Sequence, residues 1–181
     1  MKIALLILNS AIFYGAWIFT LIRAEAGDPY TGALIILAVV LFYLVMSKNR
    51  KKEALFFALV TLLGTGVDSI WTSSQLIYYK TGYSCPNIAP LWISALWLLF
   101  AYACATSLYW LEKYPWLAAL FGAVGGPLTY YGSFKLDVGD PVKPLPVVLG
   151  ILAVAWFFLM PATLYLRRLI VNENEIEPTE T

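Results

Sequence analysis

Six apolar runs, at residues 3–22, 31–46, 54–78, 90–111, 116–132 and 145–166, alternate with short polar or turn-rich links. Each run is close to the roughly 20 residues a helix needs to cross a hydrocarbon core. The pattern therefore predicts an all-α, polytopic membrane helix bundle with six transmembrane helices. Short links make consecutive helices antiparallel neighbours. Lys2 ahead of the first run and Ala24-Glu25-Ala26 behind it suggest a secretory signal, but the apolar stretch exceeds the roughly 7–15 residues of a signal core and Arg23 ends it abruptly, so it is read as a retained helix.

Charge in the links sets the orientation. Lys2, Lys48, Arg50, Lys51, Lys52, Lys113, Arg167 and Arg168, eight of the twelve basic residues, fall on one side; Arg23, Lys80, Lys135 and Lys143 fall on the other. The richer side is cytoplasmic by the positive-inside rule, which gives an N-in/C-in protein. Residues 1–170 form the six-helix transmembrane domain, and residues 171–181 read as a disordered acidic cytoplasmic tail. Two outer links, 80–87 and 135–144, are longer, and prolines and glycine keep the second from being helical.

Composition agrees. Of 181 residues, 61% are hydrophobic and 13% charged, against about 25% charged in a soluble domain. A net charge of +1 gives no electrostatic case for nucleic acid. Histidine is absent, which removes the commonest general base and transition-metal ligand. Cys85 falls in a link and Cys104 mid-helix, so neither a disulfide nor a zinc site is expected, and no metal or other cofactor is predicted.

Candidate chemistry sits in the third and fifth runs. Asp68 is the one acidic residue well inside a span, about 21 Å along its helix at 1.5 Å per residue. A buried carboxylate there is expensive unless paired, hydrated or protonated. Thr61, Thr65, Asp68, Thr72 and Gln75 share its face, and Gly64 opens space one turn earlier. Two readings stand side by side: a carboxyl that cross-links the bundle, or a functional group in a polar intramembrane pocket. Asn9, Ser10, Tyr14 and Trp17 on the first helix offer partners. On the fourth helix Trp97 and Tyr102 lie too deep for an interfacial belt and can line a cavity, whereas Cys104 is a small core residue. Trp71, Tyr78 and Tyr79, and Trp110, Tyr114 and Trp116, read as aromatic belts.

In the fifth run, Phe121-Gly-Ala-Val-Gly-Gly-Pro-Leu-Thr-Tyr-Tyr-Gly132 places Gly122 and Gly126 on one face with Ala118. Small residues at that spacing allow close helix approach in lipid. Pro127 frees a carbonyl one turn earlier, so the stretch reads as a bend, and Tyr130 and Tyr131 bring hydroxyls. The expectation is that this face meets the third helix, with Tyr130 or the freed carbonyl near Asp68 or Thr72.

That glycine-proline motif followed by Lys135-Leu136, with Asp68 and the run Ala95-Leu-Trp-Leu-Leu-Phe-Ala-Tyr-Ala-Cys-Ala-Thr-Ser-Leu108, resembles the DUF2878 family of bacterial inner-membrane proteins over residues 5–168. The resemblance implies a multi-pass inner-membrane protein connected with membrane lipid chemistry, and brings no catalytic residues with it. The leading expectation is binding or modification of a lipid or other apolar small molecule around Asp68. Asp68 and Tyr130 are the acid/base or anchoring candidates, and Thr65, Thr72, Gln75, Asn9, Tyr14, Trp97 and Tyr131 the ligand-binding ones. The alternatives are a non-enzymatic subunit that holds a membrane-protein partner or a second copy of itself, and a small dimeric transporter. The last is weakened because no internal repeat is visible.

Overall fold

The computed structural model describes residues 2–83, 85 and 87–171. The acidic tail expected at 171–181 lies outside them, except for Val171. Six helices form: α1 (Lys2–Glu25), α2 (Thr31–Met46), α3 (Arg50–Ser73), α4 (Leu91–Thr106), α5 (Pro115–Lys135) and α6 (Leu145–Val171). A 3-10 turn, Tyr109–Lys113, links α4 to α5. Among the described residues, Ile3–Glu25, Arg50–Ser73 and Leu145–Val171 are long and apolar enough to cross a membrane, and α2 and α4 are shorter apolar helices of 16 residues each.

α4 is the axis of the bundle. Its alanine-rich half from Ala101 to Ala105 is buried throughout, and α1, α2, α3 and α6 pack around it. The outward faces are apolar as well, with Leu34, Phe42, Leu62, Leu120, Val154 and Phe158 exposed. Exposed apolar surface of that extent marks an interaction surface, and its distribution over several helices suits lipid.

The fold departs from the sequence reading at the helix ends. The third run was expected to stay helical to residue 78, but α3 stops at Ser73. Gln75 adopts a left-handed backbone, φ 54°. The Leu76 amide bonds to the Trp71 carbonyl at 2.9 Å and the Gln75 amide to the Thr72 carbonyl at 3.1 Å, the pair of reversed bonds that terminates helices. α5 ends the same way: Asp137 has φ 59°, and the Val138 amide bonds back to Ser133 at 3.2 Å. Each helix thus feeds a three-residue strand, β1 (Ile77–Tyr79) and β2 (Gly139–Pro141), paired antiparallel with Tyr79 opposite Gly139. This ribbon is absent from the sequence reading, where prolines and glycine in the second link excluded only helix.

α5 corrects a second expectation. It continues as helix through Pro127, so the bend expected there does not end the helix. Its small-residue face meets α6, not α3: a Cβ on Gly122 would stand 2.2 Å from the Trp156 carbonyl oxygen, and one on Gly126 2.2 Å from the Trp156 ring. Consecutive helices are neighbours except across the 3-10 turn, where α5 docks on α6 in preference to α4.

Candidate functional site

Asp68 sits on the buried face of α3, 1% exposed, five residues before the helix ends. Three side chains from three other elements bond to its carboxylate. The Tyr79 hydroxyl, from β1, donates to Oδ1. The Trp97 indole Nε1–H, from α4, donates to Oδ2 at 2.5 Å. The Tyr130 hydroxyl, from α5, lies 2.9 Å from Oδ1 and 3.1 Å from Oδ2. An indole N–H can only donate and both phenols can donate, so the set suits an ionised carboxylate. It also compensates the desolvation that an unpaired buried charge would suffer.

Each donor is aimed by its own local structure. Tyr79 points inward because the pleat of β1 alternates Ile77 in, Tyr78 out, Tyr79 in. Trp97 reaches Asp68 because Gly64 has no side chain: a Cβ there would lie 1.8 Å from the indole. The opposite face of Trp97 stacks on Trp156 from α6, with centroids 5.0 Å apart and planes at 6°. Tyr130 follows Gly126 by one turn, so the contact that seats α5 on α6 also sets the phenol over Asp68.

These groups wall a cavity of about 90 Å3, lined also by Phe13, Trp17, Leu96, Phe100, Thr129 and Ser133. That is room for a few waters, each taking about 30 Å3 in the liquid, or for a small head group. Asp68 is the sole carboxyl in a lining that holds no Lys or Arg. Phe13, Trp17, Leu96, Phe100 and Thr129 are only half-buried, which puts the mouth of the cavity among α1, α4 and α5.

The remaining candidates are dispersed. Thr72 bonds back to the Asp68 carbonyl at 3.1 Å, and Thr65 bonds to the Ser94 hydroxyl at 2.9 Å. Both lie on α3 outside the cavity lining. Gln75 lies beyond the end of α3 and is exposed, so it leaves the Asp68 face. Tyr14 is 61% exposed and outside the cavity lining. Asn9 accepts from the Tyr102 hydroxyl at 2.9 Å, and Ser10 donates to Ser107 at 3.2 Å; these bonds join α1 to the opposite half of α4. Tyr131 is half-buried beneath the Lys135 ammonium, 5.4 Å from the ring centroid. Ala118, Gly122 and Gly126 are buried and Pro127 half-buried in the α5–α6 packing. Sequence reasoning missed Tyr79, assigned to an aromatic belt but 1% exposed, and Trp156.

A second buried polar group lies at the other end. The Arg167 guanidinium donates to Glu112, which ties α6 to the 3-10 turn. Nearby, Tyr43 donates to Glu53 at 2.9 Å.

The family model described as a protein of unknown function (DUF2878) matches residues 6–162. The chain belongs to the DUF2878 family. The matched stretch contains Asp68, Tyr79, Trp97, Tyr130 and Trp156, so the whole carboxylate cluster of this DUF2878 chain falls within it. No curated protein and no solved structure matches the chain.

Proposed function

We propose that this chain is a six-span, multi-pass protein of the bacterial inner membrane, with both termini cytoplasmic, that binds a lipid or other apolar molecule in the cavity beside Asp68. The observation that carries the reading is the placement of one fully buried carboxylate, held by Tyr79, Trp97 and Tyr130, in the wall of a cavity otherwise dominated by aromatic and aliphatic side chains. Ligand sites are characteristically apolar with a few convergent polar groups. Three donors already occupy the carboxylate, so its part is to set the polarity of the pocket, and recognition is the step the geometry favours.

Several observations support the membrane reading. Three helices have spanning length and composition. Arg23, Lys80, Lys135 and Lys143 gather at the end that holds the β1–β2 ribbon, where Thr81 bonds to the α1 carbonyl of Ala24 at 3.0 Å. The richer basic set lies at the opposite end, which is the asymmetry the positive-inside rule orients. The test is untargeted lipid analysis of a host carrying the wild-type chain, Asp68→Asn or Tyr130→Phe at equal protein levels. A changed lipid profile in the variants supports the reading, and identical profiles refute it.

A second reading, a subunit that holds a membrane partner, is favoured by an open apolar groove of about 690 Å3 on the outer face of α3 and α6, lined by Val67, Ile70, Val147, Gly150, Ile151 and Val154. Gly150 has nothing within 4 Å of where its Cβ would stand, so another helix can approach it. Co-purification of a stoichiometric partner that Gly150→Leu abolishes supports this reading; a chain that purifies alone from mild detergent removes it.

A further inference from the structure

We infer that the Asp68 cavity recognises an organic cation, an alkylammonium group carried on an apolar body. This rests on the binding role proposed above and names the chemical class of the ligand. The cavity lining holds one carboxylate and no Lys or Arg, and no ion pair to Asp68 is present among the described residues. The three donors suit the ionised form and disperse a carboxylate's charge without cancelling it, so an ionised Asp68 sets a negative field in a low-dielectric setting, where Coulomb interactions are strongest. A bound cation favours that ionised form and offsets its field.

The walls select among cations. Six indole and phenyl rings line the space: Phe13, Trp17, Trp92, Trp97, Phe100 and Trp156. Trp97 and Trp156 spend their faces on each other, on Gly64 and on Gly126. Trp92 meets Tyr79 edge-to-face, and Phe100 meets Trp97 and Trp156 in the same way; Phe13 and Trp17 remain at the half-buried mouth, and aromatic rings around a desolvated site attract ammonium groups, quaternary ones included. The occupied carboxylate points the same way. Tyr79, Trp97 and Tyr130 take most of its acceptor capacity, so a ligand that brings several N–H donors has few acceptors left to meet. A methylated ammonium needs only the charge and the rings.

The mouth explains the apolar body. The half-buried side chains of the lining come from α1, α4 and α5. α1 and α5 close on each other at Gly132, where a Cβ would stand 3.0 Å from the Trp17 ring. A head group that enters beside this contact leaves its chain among the apolar outer faces of those helices.

The full chain in nonionic detergent is titrated with dodecyltrimethylammonium and with its uncharged isostere, a dodecyl chain ending in a tert-butyl group, with quenching of tryptophan fluorescence as the readout. The cation is expected to bind at least about tenfold more tightly than the isostere, the ratio that one desolvated cation–π contact supplies. Asp68→Asn is expected to abolish that ratio. Trp17→Leu, at the half-buried mouth and free of hydrogen bonds, covers the case in which Asp68→Asn does not fold, and is expected to weaken the cation about three- to tenfold. Equal binding of cation and isostere, both lost in Trp17→Leu, overturns the cation assignment and leaves the apolar pocket standing. No saturable binding of either overturns both. Repeating the titration in nanodiscs of phosphatidylcholine and of phosphatidylglycerol identifies the source. Competition by phosphatidylcholine alone assigns a lipid head group, and undiminished binding in both assigns a free amphiphile; either supports the cation.

Discussion

Trp97 and Trp156 lie stacked, ring centroids 5.0 Å apart and planes 6° from parallel, in a slot whose two walls are Gly64 on α3 and Gly126 on α5. Four helices contribute to this layer. It seats α5 on α6 and presents the Trp97 N–H to Asp68. The glycines that look like a hinge in the sequence are spaces for indoles.

Adding one methyl to either wall is therefore damaging. A Cβ at Gly64 would stand 1.8 Å from Trp97, and one at Gly126 2.2 Å from Trp156. Gly64→Ala and Gly126→Ala are expected to lose about 1–3 kcal/mol or more through overpacking. Gly66→Ala and Gly125→Ala, with nothing within 4 Å, are expected to be neutral or slightly stabilising. Thermal unfolding of the four variants in detergent separates the pairs.

Removing donors from Asp68 has a graded effect. Tyr130→Phe and Tyr79→Phe each remove a hydroxyl donor from the buried Asp68 carboxyl and are expected to cost about 1–3 kcal/mol. Asp68→Asn costs more than either, because its single carbonyl oxygen replaces two acceptors and its amide turns a donor toward Trp97 or the phenols. Equal melting temperatures for Asp68→Asn and Tyr130→Phe would show that the acceptor count does not matter.

The ribbon end carries the pH dependence. The Thr31 hydroxyl, and then the Arg23 guanidinium, hold the Asp28 carboxyl well below its ordinary range. A depressed carboxyl contributes stability that is present above the unfolded pKa, about 3.9, and is lost as pH falls through the lower folded value. Asp28→Asn is expected to flatten the acid limb of a melting-temperature profile. Lys80 is raised, chiefly by its bond to Asp137. Its contribution is present below the unfolded lysine value, about 10.4, and is lost as pH rises through the folded one. Asp137→Asn is expected to flatten the alkaline limb.

At the opposite end, Arg167→Met leaves the Glu112 carboxylate, 11% exposed, without its guanidinium. Losing one partner of a buried pair is expected to cost about 3–5 kcal/mol. The double variant Arg167→Met/Glu112→Leu is expected to recover most of it. Equal melting temperatures for the single and double variants would argue against a buried-charge penalty.

The sequence made the helical architecture readable because apolar runs of spanning length are its strongest signal. Asp68 stood out because a lone acid in such a run is expensive unless paired, hydrated or protonated, and Tyr130 because it brings a hydroxyl to an otherwise small and apolar stretch. The identity of the helix opposite that face was not readable. A small-residue stripe reports close approach without saying to whom, and α6 supplies Trp156 where α3 was expected. Tyr79 was hidden because tyrosines at a span end usually mark the interface. Its inward direction depends on a three-residue strand pairing with a segment roughly 60 residues away, and no local period reveals that. Gln75 misled because it continues the α3 face arithmetically, while the helix has already reversed through that residue.

The central claim is that the Asp68 cavity holds a ligand. Native mass spectrometry of the full chain released from mild detergent tests it most directly, with wild type compared against Trp17→Leu, which alters the mouth and leaves the carboxylate cluster intact. Wild type is expected to carry one bound amphiphile per chain, and the variant to lose it while still giving the folded charge-state distribution. Wild type and variant both free of ligand, or carrying the same adducts in the same amounts, would contradict the claim and leave Asp68 as a clamp that joins α3, β1, α4 and α5.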